Sequence, residues 1–108
     1  MIATTKNTLF RIYMEKFAMN DDAVIAYAEE NNVENYRQLL EEFNAIRSAS
    51  YDHIWEITKP DKHLTASKIN SVVKSYSLEN FSWFDDESFK ALLNWIMYMC
   101  WHEGILKD

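Results

Sequence analysis

The stretch Glu34–Thr58, ENYRQLLEEFNAIRSASYDHIWEIT, decides the fold. On a helical wheel at about 100° per residue, with Glu34 at the origin, Tyr36, Leu39, Leu40, Phe43, Ile46, Ser50, Ile54 and Ile57 fall in one arc between about 120° and 240°. Glu34, Gln38, Glu41, Asp52 and Glu56 fall opposite. The phase carries across Ser48-Ala49-Ser50, where propensity alone would suggest a break. The pattern predicts one continuous helix of roughly 25 residues, about 37 Å long, with a kink near Ser48 as the local alternative. Two residues depart from it. Arg47 is a cation inside the apolar arc, and Trp55, near 300°, is an aromatic outside it. Trp55 is therefore the best single candidate for a contact residue.

Working outward, Asn31-Asn32 precedes this helix and suits a helix end, since Asn tolerates the left-handed conformation. Before it, Asn20 reads as an N-cap, with Asp21 and Asp22 complementing the helix dipole. The short second helix reaches about Glu30 and presents Val24, Tyr27 and Ala28 inward. A first helix is expected over Thr8–Ala18, on Leu9, Ile12, Tyr13 and Phe17, with Phe10 and Met14 beside them.

On the C-terminal side, Lys59-Pro60 stops the long helix, because the residue before proline is pushed out of the α region. Thr65 or Ser67 can cap a fourth helix with the face Ile69, Val72, Val73 and Tyr76, ending near Ser75. Ser77–Trp83 reads as a loop, Asp85 as the cap of a fifth helix and Gly104 as its stop. The fifth helix has a narrow polar stripe of Glu87, Lys90 and Asn94, continued by Tyr98 and Trp101. Phe89, Leu92, Leu93, Ile96, Met99 and Cys100 lie opposite. A helix this apolar is central in the fold or covered by a partner, so Tyr98 and Trp101 are candidates for self-association.

Composition agrees. The chain has 108 residues with one glycine and one proline, which removes the tight turns an all-β fold needs. Aromatics at 15% and apolar residues at 48% supply one core and argue against disorder. The expected fold is all-α: a compact single-domain bundle of about five helices, the third and fifth long. One cysteine, Cys100, excludes an intramolecular disulfide. The longest apolar stretch, Ala91–Trp101, is interrupted by Asn94 and too short to span a bilayer, and no apolar leader segment is visible. A cytoplasmic protein with no membrane association is expected, in the cytoplasm of an infected host if it is phage-encoded.

Charge is uneven. Residues 21–42 hold Asp21, Asp22, Glu29, Glu30, Glu34, Glu41 and Glu42 against Arg37 alone, a balance of −6 that equals the whole net charge. Residues 59–74 hold Lys59, Lys62, Lys68 and Lys74 against Asp61. Such polarity steers partners without defining a fold.

Motifs for catalysis are missing. Cys100 and His102 point to different faces of a helix, and Cys100 sits on its most apolar side, where a thiol is inert. His53 and Glu56 could share an edge, but in the reverse order of the di-iron bundle motif. The paired acids Asp21-Asp22, Glu29-Glu30, Glu41-Glu42 and Asp85-Asp86 are neighbours that do not face each other. A single glycine excludes a phosphate-cradling loop. No enzyme, cofactor or metal is expected. Val24–Leu40 has a loose helix-turn-helix outline, but its glutamates would repel phosphates, so direct nucleic-acid binding is disfavoured. The expected function is a non-catalytic, acidic protein-binding module, using Asp21, Asp22, Glu29, Glu30, Glu34, Glu41, Glu42 and Trp55. Its specific form is an inhibitor, immunity or anti-defence protein of phage type that covers a basic, nucleic-acid-handling partner. The alternative is a small homodimeric DNA-associated transcriptional regulator, paired through the fifth helix.

Overall fold

The computed structural model describes residues 3–15, 20–58 and 63–106. Among them are five helices: α1 (Ala3–Met14), α2 (Asp21–Glu30), α3 (Tyr36–Thr58), α4 (Ala66–Asn80) and α5 (Asp86–His102). No strand forms among these residues beyond an isolated parallel bridge between Leu64 and Leu106. The architecture is the all-α bundle expected. Helix α3 touches the other four, with α2 packed on its side together with α1, and α4 together with α5. The bundle measures 46 × 24 × 19 Å.

Helix α3 runs unbroken from Tyr36 to Thr58, through Ser48-Ala49-Ser50. It buries Leu39, Phe43, Ile46, Ser50 and Ile54, the inner part of the arc read from sequence. A small Ser50 in this row permits close approach of a neighbouring helix. Arg47 is accommodated by chemistry at the edge of the arc. Its Nη2 donates to Asn44 Oδ1 at 2.7 Å, and its guanidinium lies over the Trp95 ring at 5.3 Å.

Helix ends explain the remaining boundaries. Helix α2 ends on Asn31, whose Nδ2 donates to the Tyr27 carbonyl, and on Asn32, whose φ is 59°. Val33 N–H then closes back onto the Ala28 carbonyl at 2.8 Å. At its other end Asn20 occupies the N-cap position but makes no side-chain cap bond. Its Nδ2 instead donates to the carbonyls of Ile12 at 3.2 Å and Glu15 at 2.8 Å. Asn20 thus serves both helices: its backbone carbonyl accepts from Val24 N–H at the start of α2, while its amide closes carbonyls left over at the end of α1.

Two boundaries differ from the sequence reading. Helix α1 begins at Ala3, five residues before the expected Thr8. Thr4, Thr5 and Asn7 are poor helix formers, and tertiary contacts of Asn7 override that preference. The expected C-terminal part of the first helix, including Phe17, lies outside the described residues, as do Lys59 and Pro60. Helix α4 continues to Asn80, past the expected end at Ser75, so Ser77–Asn80 is helix and only Phe81–Asp85 is loop. Ser77 extends the buried i, i+4 row of Ile69 and Val73, and Asn80 Nδ2 closes onto the Tyr76 carbonyl at 2.9 Å. Thr65 caps α4 by accepting from Lys68 N–H, and Asp85 caps α5 by accepting from Ser88 N–H at 2.8 Å. Gly104, at φ 77°, ends α5, and Ile105 N–H returns to the Cys100 carbonyl.

The core centres on Phe10. Its ring meets Phe43 at 5.3 Å, Trp83 at 6.1 Å and Phe84 at 4.9 Å, while Tyr13 meets Phe43 at 5.7 Å. Helix α5 contributes Leu92, Trp95, Ile96 and Cys100. Phe89, Leu93 and Met99, expected on the buried side, are only partly buried, while Trp95 is fully drawn in.

One polar residue ties this core together. Asn7 is 2% exposed. Its Nδ2 donates to the Trp83 carbonyl at 2.8 Å, and its Oδ1 accepts from the Asp85 N–H at 2.9 Å and from the Ser88 hydroxyl. A single carboxamide on α1 therefore fixes both the aromatic loop and the first turn of α5. Asn7→Ala is expected to strand these groups in the interior and cost about 2–3 kcal/mol, lowering the melting temperature by roughly 10 °C. Thermal unfolding followed by circular dichroism checks this, with the exposed Asn70→Ala expected to shift the midpoint hardly at all.

Candidate functional site

Six of the seven carboxylates singled out in residues 21–42 are solvent-exposed: Asp21, Asp22, Glu29, Glu30, Glu34 and Glu41. Asp22 and Glu29 are seven residues apart and share one side of α2, while Glu41 lies opposite the buried row of α3. Glu42 differs. It is half-buried and pairs with Lys6 Nζ of α1 at 2.7 Å, and the same ammonium sits 4.2 Å from the centre of the Trp83 ring. Glu42 thus helps hold α1 to α3, and its charge is already matched. Arg37, the cation of this segment, is exposed beside the Tyr36 ring.

A polar cleft of about 560 Å³ opens within the acidic segment, where the start of α1 meets the α2–α3 turn. Thr5, Tyr27, Asn31, Asn32, Glu34 and Asn35 line it. Its floor is a half-buried tyrosine and its wall a set of carboxamides beside one exposed carboxylate. These groups accept hydrogen bonds and tolerate positive charge, and the helix-ending Asn31 and Asn32 place them there. Sequence reasoning identified Asn31-Asn32 as a helix end; that the same turn walls a cleft depends on α1 docking alongside it.

The aromatic candidates occupy separate places. Trp55 is 41% exposed and meets Tyr51 edge-to-face at 6.1 Å; Tyr51 in turn meets the buried Trp95 at 5.6 Å. Trp55 is the outer end of an aromatic chain rooted in the core. Tyr98 and Trp101, 41% and 65% exposed, lie on the outer side of α5 with ring centres 6.2 Å apart. The acidic segment and this aromatic pair lie on different helices, and α2 and α5 each pack against both α1 and α3.

The groups considered for catalysis are placed as follows. His53 stacks on Tyr76 at 4.5 Å between ring centres, joining α3 to α4. Among the described residues no group of three or more His, Cys, Asp or Glu side chains converges as a metal site would. Cys100 is fully buried, and burial pushes its thiol up from an ordinary 9.0 to about 11. Burial also raises Tyr13 and Tyr51 above the usual tyrosine value. A smaller apolar groove of about 330 Å³, with Leu78, Phe81, Phe84 and Phe89 among its lining, lies between the end of α4 and the start of α5. Sequence reading missed it, because the late end of α4 creates one wall. No helix among the described residues is long and apolar enough to cross a membrane.

Comparison of the chain with protein-family models, with curated proteins and with solved structures finds no match.

The raised Cys100 pKa has a definite sign in stability. The folded state holds the thiol proton more tightly than the unfolded chain, so stability is intact below pH 9 and falls as pH rises toward about 11. Tyr13 and Tyr51 act in the same direction at the alkaline end. Urea midpoints should therefore decline across this window, and Cys100→Ala should reduce the decline. A thiol reagent added at neutral pH should label Cys100 only after denaturant is added.

Proposed function

We propose that the protein is a non-catalytic binding module whose acidic α2–α3 segment docks a basic surface on a partner protein. The observation that carries this reading is the state of the charges. Asp21, Asp22, Glu29, Glu30, Glu34 and Glu41 stand in solvent, Glu34 lines the polar cleft, and Arg37 is the one cation within residues 21–42. Uncompensated charge of one sign on a segment is costly to the fold through self-repulsion and gains from a partner of opposite sign. The cleft floor at Tyr27 can seat the aliphatic stem of an arginine or lysine, with Glu34 and the asparagine carboxamides around its head. Trp55 adds an aromatic anchor beyond the charges.

In its specific form, the partner is a nucleic-acid-handling protein whose basic channel the acidic segment occupies, and the module acts as an inhibitor, of the kind a phage uses against host defence. Carboxylates presented in solvent mimic the charge that such a channel binds, and they steer association rapidly. The same charges oppose direct contact with phosphates.

Charge reversal tests the reading. Glu30, Glu34 and Glu41 are the residues to change together to lysine; Glu42 is left alone because its bond to Lys6 is part of the fold. The triple variant should keep the wild-type melting temperature within a few degrees and lose partner binding at least tenfold. Wild-type affinity should itself drop as salt is raised. Affinity capture from the native host, followed by titration of the captured partner, measures both. An unchanged affinity in the triple variant, or tight salt-sensitive binding of the protein itself to duplex DNA, would refute the proposal.

A further inference from the structure

The exposed stripe of α5 is Glu87, Lys90, Asn94, Tyr98 and Trp101, and all five side chains are solvent-exposed. Their spacing has a symmetry. Counted from Asn94, they lie at −7, −4, 0, +4 and +7 residues, within about 40° of one line along the helix. Asp86 and His102, also exposed, lie at −8 and +8. One half of the stripe is charged, the other aromatic.

We infer that α5 pairs antiparallel with α5 of a second copy, on a two-fold axis passing at Asn94. A two-fold interface requires that whatever residue i meets as j, residue j meets as i. The antiparallel arrangement about Asn94 puts Lys90 in the layer of the partner's Tyr98, Glu87 in that of the partner's Trp101, and Asp86 in that of the partner's His102. Each charged half then covers an aromatic half, twice. Lys90 supplies an ammonium to the faces of two rings that are already grouped. The two Asn94 carboxamides meet at the axis, where each can donate to and accept from the other. A parallel pair has no such complementarity: it sets Lys90 against Lys90 and Glu87 against Glu87. Among the described residues Lys90 makes a loose ion pair with Glu87, at 3.7 Å and with both side chains exposed, which leaves its head able to reorient.

The pairing is weak by size. Helix α5 is about 25 Å long, and one helical stripe covers less than the roughly 800 Å² per partner of a standard interface. A dimer in the micromolar range or weaker is expected, with two large rings per copy carrying most of it. This inference does not depend on the acidic-segment reading, since the two surfaces are on different helices.

Sedimentation equilibrium up to about millimolar concentration should show reversible dimers. Trp101→Ala should weaken them at least tenfold, and Lys90→Glu should weaken them several-fold while leaving the monomer folded. Orientation is read by cross-linking in a Cys100→Ala background. Asn94→Cys should form a disulfide dimer under mild oxidation. Lys90→Cys alone should not, whereas a mixture of Lys90→Cys and Tyr98→Cys chains should give the mixed dimer. If Cys100→Ala impairs folding, a spin label on Asn94→Cys reads the same axis as a single short inter-label distance. A strictly monomeric protein at high concentration, dimers indifferent to Trp101→Ala, or self-linking of Lys90→Cys as efficient as that of Asn94→Cys would overturn the inference.

Discussion

The carboxamide of Asn7 is the constraint on which the rest of the structure rests. A five-helix bundle of aromatic and aliphatic side chains has many arrangements of similar buried area, because burial is non-directional. A buried amide is directional. Its donor must find the Trp83 carbonyl and its acceptor the Asp85 N–H and Ser88 hydroxyl, or the groups are left unpaired at considerable cost. Satisfying them sets the height of α1 against α5 and presses the Trp83-Phe84 loop onto Phe10. Asp85 is then placed to cap α5, so one side chain on the first helix determines where the last helix begins.

From that junction the bundle divides its labour. Helix α3 is the common wall, bearing α2 near its start and α4 near its end. Lys6 and Glu42 reinforce the join of α1 to α3, while His53 and Tyr76 join α3 to α4 through stacked rings. Arg47 seals the edge of the core by lying on Trp95. Charged and aromatic groups that looked available in the sequence are in these places part of the framework. The exposed carboxylates of α2 and α3 and the outer stripe of α5 stay in solvent.

Those two surfaces differ in physical kind. In the proposed reading the acidic segment acts at a distance: its charge would attract and orient a basic partner before contact, and the attraction would weaken with salt. The proposed α5 pairing would act only on contact, through rings and a few charges whose order along the helix is symmetric about Asn94. If both proposals hold, the molecule would associate with itself and with a partner through separate helices. In such an arrangement a dimer would present two acidic segments at once, raising avidity where the partner offers two basic sites.

By itself the sequence determined the helical class, the length of α3, the cap at Asp85 and the stops at Asn32 and Gly104, and it narrowed the cap of α4 to Thr65 or Ser67, because those depend on local periodicity and on backbone chemistry within a turn or two. It also located the charge imbalance, a property of composition along the chain. The tertiary structure alone decided the start of α1 and the length of α4, where buried contacts of Asn7 and Ser77 outweigh weak local propensity. It decided as well that the Asn20 side chain closes α1 while its residue stands at the N-cap of α2, since only the relative position of the two helix ends brings its Nδ2 to the carbonyls of Ile12 and Glu15. The same holds for the site. Seven acids were legible in residues 21–42, but that Glu42 is matched by Lys6 thirty-six positions away, and that α1 closes a cleft beside Asn31 and Asn32, follows from long-range contacts that periodicity cannot encode.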